Sequence, residues 1–135
     1  MTPFNTLQKE IIGRMRDHLP AHLTYHCVEH TELVIDRSEY IGEKEGLNEK
    51  ELHLLKTAAL FHDFGFTEVY KDHEERGCKI VKAELPAHGY SSADIDTICG
   101  MIMATKIPQN PLNVMENVIA DADLEYLGTG DFKPI

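Results

Sequence analysis

The sequence predicts an all-α fold, a single compact helical domain of about five to six helices over residues 1–135. Strand signals are nearly absent, because apolar and polar residues nowhere alternate over six positions with β-branched enrichment. Apolar residues instead recur at helical spacing along the chain. With a hydrophobic fraction of 42%, a chain of 135 residues can bury a core without disulfides or structural metals.

Three helices are predicted in the N-terminal half. The first covers about 5–19, has its apolar residues on one face, and stops at Pro20. The second covers about 27–42 and ends before a segment that contains glycine. The third begins at Asn48, a good N-cap residue followed by acidic residues that suit the helix dipole, and ends near Asp63.

Three further helices follow. The fourth covers about 73–85 and ends before Pro86, which cannot continue a helix. The fifth follows the cap signal Ser91–Ser92. The sixth covers about 112–127, after a gap that contains two prolines. The connections are short and no repeat is visible, so one domain is expected.

Composition restricts the class of function. Thirteen basic and 23 acidic residues give a net charge of −10, which disfavours duplex nucleic acid and anionic membrane as partners. No apolar run approaches the roughly 20 residues that span a bilayer, and the N-terminus lacks the features of a signal peptide. Three cysteines without a CxxC pair indicate reduced thiols. We therefore expect a cytoplasmic protein, with a homodimer as an open alternative to a monomer.

Histidine is frequent, with 8 residues in the chain. Four of them recur at intervals of four: His18, His22, His26 and His30. Pro20 interrupts this series, so we expect the four not to share one helix face and the first two to lie at the surface.

The pair His62–Asp63 follows the apolar run Ala58 to Phe61. An imidazole and a carboxylate at the end of a buried helix need a hydrogen-bond partner or a cation, because an unpaired buried charge is costly. Capping of the helix and ligation of a metal are both open interpretations.

A second carboxylate pair, Asp121 and Asp123, also follows an apolar run. Two residues diverge by about 200° on a helix, so one carboxylate is expected to face the core and the other to face outward. Two imidazoles and two carboxylates would suit one divalent ion such as Mn, Fe, Co, Ni, Zn or Mg. The residues alone leave open which aspartate faces inward.

Three segments in this order resemble the HD-domain superfamily of metal-dependent phosphohydrolases. Residues 25–31 are similar to its opening motif YHNxxHT, with Cys27 in place of the usual asparagine. Residues 58–65 are similar to its core motif AALFHDxG, and residues 119–124 are similar to its closing motif DADxL. The resemblance implies an HD-type helical fold and hydrolysis of a phosphate ester, on a nucleotide or another small phosphorylated metabolite.

The resemblance also implies site residues. The metal ligands it implies are His30, His62, Asp63 and Asp123, with Asp63 also orienting the attacking water. Asp121 is the weaker candidate, as a base or a partner of a ligand. His26 matches the position that donates a proton to the leaving oxygen in some members, although a histidine that only hydrogen-bonds near the pocket is equally consistent with its place.

Departures from the pattern limit these implications. His73 is placed where some members ligate a second metal, but the fifth helix ends in Lys106 without the histidines that two-metal members carry, which favours one metal. Lys106 either binds a substrate phosphate or is solvated. The chain is also shorter than many members, so it is either a minimal member or a fragment. The rival hypotheses are a metal-binding sensor without turnover and, less favoured, a di-iron oxygenase.

Overall fold

The computed structural model describes residues 1–127, apart from the side chains at 25, 26 and 125–127. Six α-helices occupy this part of the chain: α1 (Phe4–His18), α2 (Ala21–Lys44), α3 (Glu49–Phe61), α4 (His73–Glu84), α5 (Ser92–Ala104) and α6 (Val114–Leu127). Short 3-10 turns at Phe64–Thr67 and Leu85–His88 flank α4. The described residues form no strand, and the predicted all-α class is confirmed.

The start of α2 differs from the prediction. Pro20 does separate α1 from α2, but α2 begins directly after it at Ala21 rather than near residue 27. Proline lacks an amide hydrogen and has a restricted φ, so it breaks a preceding helix and suits the start of the next one. His26 and His30 therefore share one helix, whereas His18 lies on α1 and is exposed with His22.

Reciprocal side-chain caps begin α3 and α5. Asn48 accepts a hydrogen bond from the Glu51 amide while Glu51 accepts one from the Asn48 amide. Ser91 and Asp94 repeat the arrangement at α5. Each box satisfies two amides that a helix start otherwise leaves unpaired, which explains why both starts agree with the sequence prediction.

Helix α3 lies at the centre of the fold. It packs against α1, α2, α5 and α6, and its last eight residues are buried all round except Lys56. A helix that is apolar on every side belongs inside a core. Side chains from all six helices join its residues in one apolar cluster. Because α3 ends at Phe61, His62 and Asp63 leave the helix from inside the core. Across the described residues, no helix has the length and apolar character needed to cross a bilayer.

An ion pair ties α1 to α4. Arg14 donates two hydrogen bonds to Glu84, at 2.6 and 2.8 Å, and its guanidinium lies 5.0 Å from the centre of the Phe64 ring. The Arg14 hydrogen bonds hold the pKa of Glu84 below its usual value. Both side chains are about one-third exposed, so the pair contributes modestly to stability.

We predict that Glu84→Gln lowers the free energy of unfolding by about 1 kcal/mol at neutral pH, because a bidentate charged pair becomes a weaker neutral contact. Since folding lowers the pKa of Glu84, its contribution is present above the unfolded value near 4.5 and is lost as pH falls through the folded value. Urea unfolding at several pH values measures this. Glu10→Gln is the matched control, since Glu10 lies 3.7 Å from Arg14 and is exposed. An equal effect of both variants at every pH would contradict the prediction.

Candidate metal centre

His62 is held in one orientation at the end of α3. Its side chain is only 1% exposed, and its Nδ1 lies 2.6 Å from the Ala59 carbonyl oxygen. A carbonyl only accepts hydrogen bonds, so Nδ1 carries a hydrogen and donates it. In the neutral ring Nε2 is then unprotonated, which is the state in which an imidazole binds a metal.

Two other helices bring polar atoms to this nitrogen. His30 on α2 and Asp123 on α6 are 93 positions apart, yet His30 Nε2 lies 2.8 Å from Asp123 Oδ1. His62 Nε2 is 3.3 Å from His30 Nε2 and 3.5 Å from Asp123 Oδ1. Three helices of the core thus direct their side chains to one point.

Asp63 uses its two oxygens differently. Oδ2 lies 3.3 Å from His62 Nε2 and 3.7 Å from His30 Nε2. Oδ1 accepts a hydrogen bond from His73 Nε2 at 2.9 Å. The His73 ring is stacked on Phe66, with centroids 3.8 Å apart and 15° between the planes. One oxygen of Asp63 therefore faces the cluster while His73 holds the other.

The turn after Asp63 meets the start of α4 at Gly65. A Cβ atom on Gly65 would lie 2.0 Å from the His73 carbonyl oxygen, so a side chain does not fit there. This close approach between the backbones of Gly65 and His73 brings the His73 side chain within reach of Asp63.

These donors fit a single divalent ion. One ligand atom each from His30, His62 and Asp123 lies within 4.8 Å of the other two. Atoms about 2.1 Å from one ion are at most about 4.2 Å apart, and the three measured separations of 2.8 to 3.5 Å meet this limit. Nitrogen and carboxylate oxygen together suit borderline divalent ions.

The electrostatics of the cluster also favour a cation. Burial disfavours a charged imidazole, but the Asp63 and Asp123 carboxylates outweigh it and raise the pKa of His62 well above its usual value. Burial likewise opposes the ionised form of Asp63, yet the surrounding imidazoles hold its pKa well below the usual value. Two ionised carboxylates in a buried site require positive charge beside them, from a proton or a metal ion.

The HD domain family model matches residues 27–124, a range that contains all four converging side chains. The chain belongs to the HD-domain family. This family belongs to a superfamily of metal-dependent hydrolases that bind divalent metals. A solved structure with a similar fold is a predicted HD superfamily hydrolase from an uncultured Thermotogales bacterium, with 22% identity and a TM-score of 0.71. The match covers 86% of this chain and 66% of the length of that one. No curated protein matches the sequence.

Asp123 and Asp121 of the HD domain face different sides of α6. Asp123 lies in the cluster with its side chain 20% exposed, while Asp121 is exposed. Buried Ala122 lies between them, as the rotation of a helix requires. Asp123 is therefore positioned as a ligand, whereas the predicted role of Asp121 as a base or ligand partner has no support from its position.

The side chain of Lys106, predicted either to bind a substrate phosphate or to be solvated, is 38% exposed. The residue follows the end of α5, and its ammonium pairs with Glu75 at 2.5 Å and with Asp72 at 3.3 Å. Asp72 precedes α4 and has a φ of 57°, which is uncommon for a residue other than glycine. The two carboxylates compensate the lysine and anchor it to the start of α4, beside His73, so it is not a free cation.

Other residues complete the description of the site. The side chain of His26 lies outside those described, so its predicted role stays a prediction, although its backbone is on α2 one turn before His30. His73 was expected only as a ligand for a doubtful second metal, and it contacts Asp63 directly. Gln109 was missed: its Nε2 lies 3.5 Å from Asp123 Oδ2. Its position between two prolines marks a loop but carries no signal for the contact.

We predict that Asp123→Asn lowers the affinity for Mn²⁺ or Zn²⁺ at least about 100-fold, because it removes the charge of a direct ligand. Asp121→Asn makes the same charge change two residues away and is expected to leave the affinity unchanged. Isothermal titration calorimetry of the metal-depleted variants measures both. Equal losses in the two variants would show that general charge, rather than ligation, determines the affinity.

Proposed function

We propose that this HD domain is a metal-dependent hydrolase of phosphate esters, acting on a nucleotide or another small phosphorylated metabolite. The observation that supports the proposal most is the convergence of His30, His62 and Asp123 beside Asp63. A phosphate ester needs both a positive charge for its oxygens and an activated water, and such a donor set can bind an ion suited to both.

The residues of the site have distinct roles in this proposal. When bound by His30, His62, Asp63 and Asp123, a divalent ion would supply positive charge for the phosphoryl oxygens and lower the pKa of water. Asp63 orients the attacking water with Oδ2, while His73 holds the carboxylate through Oδ1. His26 matches the position that donates a proton to the leaving oxygen in some HD members, and it either has this role or only hydrogen-bonds near the pocket. One metal, rather than two, remains our prediction.

The expected partner is a small molecule. A net charge of −10 disfavours a long phosphate backbone, whereas one phosphate can reach a local cation. The homodimer stays a prediction. The feature that bears on it is a set of exposed apolar side chains in the α5–α6 connection and at the first residue of α6: Ile107, Leu112 and Val114.

One observation favours a second candidate function. Because Glu75 and Asp72 compensate Lys106, the side chain predicted to bind phosphate is engaged elsewhere. A metal-binding sensor with little or no turnover would be consistent with this pairing. Metal analysis combined with a panel of phosphomonoesters and cyclic nucleotides distinguishes the two candidates, since a sensor would bind metal stoichiometrically and hydrolyse none of the panel.

We predict that Asp63→Ala and His62→Ala each abolish metal content and hydrolysis together, because each removes one of few ligands. Both variants are also expected to melt at a lower temperature than the metal-bound parent, since bound metal stabilises the folded state. Asp36→Ala, an exposed aspartate on α2, is the control and is expected to match the parent. Stoichiometric metal with full turnover in Asp63→Ala would refute the assignment.

A further prediction concerns Lys106. If it leaves its carboxylate partners to bind the transferred phosphate, Lys106→Ala lowers kcat/KM by about 10²–10³ with metal content unchanged, since one cation facing the developing charge contributes about 2–4 kcal/mol. Lys106→Arg is expected to recover only part of the rate, because a planar guanidinium does not reproduce a compact ammonium.

Glu75→Ala is the matched control for Lys106, because it removes a partner of the lysine and keeps the lysine itself. We expect Glu75→Ala to retain most of the activity. Equal losses in Glu75→Ala and Lys106→Ala would instead show that the ion pair, acting on the start of α4, is what hydrolysis depends on. Parent activity in Lys106→Ala would remove the lysine from the site.

A further inference from the structure

Two cysteines meet between α4 and α5, away from the metal centre. The Cys78 sulfur lies 3.6 Å from the Cys99 carbonyl oxygen, and the Cys99 sulfur lies 3.8 Å from the Cys78 carbonyl oxygen. Each side chain thus reaches the backbone of the other residue, so the two thiols lie side by side across the helix interface. Both cysteines are buried, with 8% of each residue exposed.

The packing around this pair brings the two helices close together. Gly77 precedes Cys78, and a Cβ there would lie 3.9 Å from Ile102 of α5 and 3.3 Å from the Phe61 carbonyl oxygen. Lys106 ties the end of α5 to the start of α4 through Asp72 and Glu75. Since α4 is held in place at its start and in its middle, the two thiols stay in reach of each other.

The two thiols influence each other's ionisation. The adjoining Cys78 thiol lowers the pKa of Cys99, against the effect of burial, and Lys82 adds to the lowering. The same interaction and burial raise the pKa of Cys78. Cys27, fully buried on α2, has its pKa raised to about 12 by burial and by Asp63. Since the thiolate is the nucleophile and Lys82 favours it at both Cys78 and Cys99, this pair is expected to react before Cys27.

We propose that Cys78 and Cys99 are a redox-active pair that closes to a disulfide between α4 and α5 on reaction with a peroxide. The thiolate of one cysteine of the pair attacks one oxygen of hydrogen peroxide, the O–O bond breaks, and hydroxide leaves and takes up a proton to give water. The sulfur of the other cysteine then displaces the hydroxyl of this sulfenic acid as a second water. The two thiols lose two protons and two electrons, and one peroxide becomes two waters. A dithiol reductant reverses the step.

The disulfide would stabilise the folded chain. Its formation does not depend on hydrolase activity. It would join residues 21 positions apart and link α4, which begins at His73, to the centre of α5. A cross-link of this length restricts the unfolded chain. The oxidised protein is therefore expected to melt roughly 5–10 °C above the reduced protein.

To test this, the folded, purified chain is treated with one equivalent of hydrogen peroxide. The remaining thiols are then alkylated in denaturant, and the peptides are mapped by mass spectrometry. We expect one alkylated cysteine, Cys27, and a disulfide-linked peptide pair that contains Cys78 and Cys99 in a monomeric chain. Dithiothreitol is expected to restore three alkylated thiols. The melting temperature of the oxidised and reduced forms is measured in parallel.

Variants at the three cysteines provide matched controls. Cys27→Ser is expected to form the same disulfide as the parent, and Cys78→Ser and Cys99→Ser are expected to form no intramolecular disulfide. If either of the latter variants does not fold, the peptide map of Cys27→Ser still decides the question. Three alkylated thiols after peroxide treatment, a linkage through Cys27, or a disulfide only between two chains would overturn the proposal.

Discussion

The hydrogen bond from His62 Nδ1 to the Ala59 carbonyl oxygen holds the ring around which the other groups of the site converge. It uses the last turn of α3 itself as the acceptor, so the ring needs no partner from elsewhere in the core to be held in place. It also assigns the tautomer, and with it the direction of the free nitrogen lone pair. His30, Asp63 and Asp123 all lie within 3.5 Å of that nitrogen.

This arrangement places charge where the fold is most apolar. The last eight residues of α3 are buried apart from Lys56, and a charged group at the end of this helix would be costly if it were alone. The cost is offset because carboxylates and imidazoles occur there together, from three helices and one turn. The core and the site therefore depend on each other. The packing of α2, α3 and α6 sets the distances between the ligands. Because the ligands compensate each other's charges, those helices can pack around polar atoms.

Local patterns accounted for most of the fold. The starts of α3 and α5 followed from caps made by neighbouring residues, and the break at Pro20 followed from the chemistry of proline. The start of α2 was wrong because apolar spacing becomes regular only after residue 27, while the helix begins where proline permits it. Spacing alone reports the buried face of a helix and not its exposed first turns.

The site was predictable in part for a similar reason. The motifs pointed to His62, Asp63 and Asp123, because polar residues that directly follow an apolar run can be recognised in the sequence itself. Helical spacing left open which of Asp121 and Asp123 faces inward, and the HD resemblance favoured Asp123. The partners of Lys106 required the relative position of two helices. The contact of Gln109 with Asp123 depends on the path of a loop between prolines, for which the sequence has no periodic signal.

Gly65 has a consequence for how the site can fluctuate. Its missing side chain allows the turn after Asp63 to rest against the His73 carbonyl oxygen, and no space is left between them. The contact therefore limits motion in one direction only: α4 can move away from the turn but cannot come nearer. Thermal displacement of α4 can lengthen the hydrogen bond between His73 and Asp63 but can scarcely compress it. The backbone contact thus limits how near the start of α4 can come to the turn, independently of the charges on His73 and Asp63.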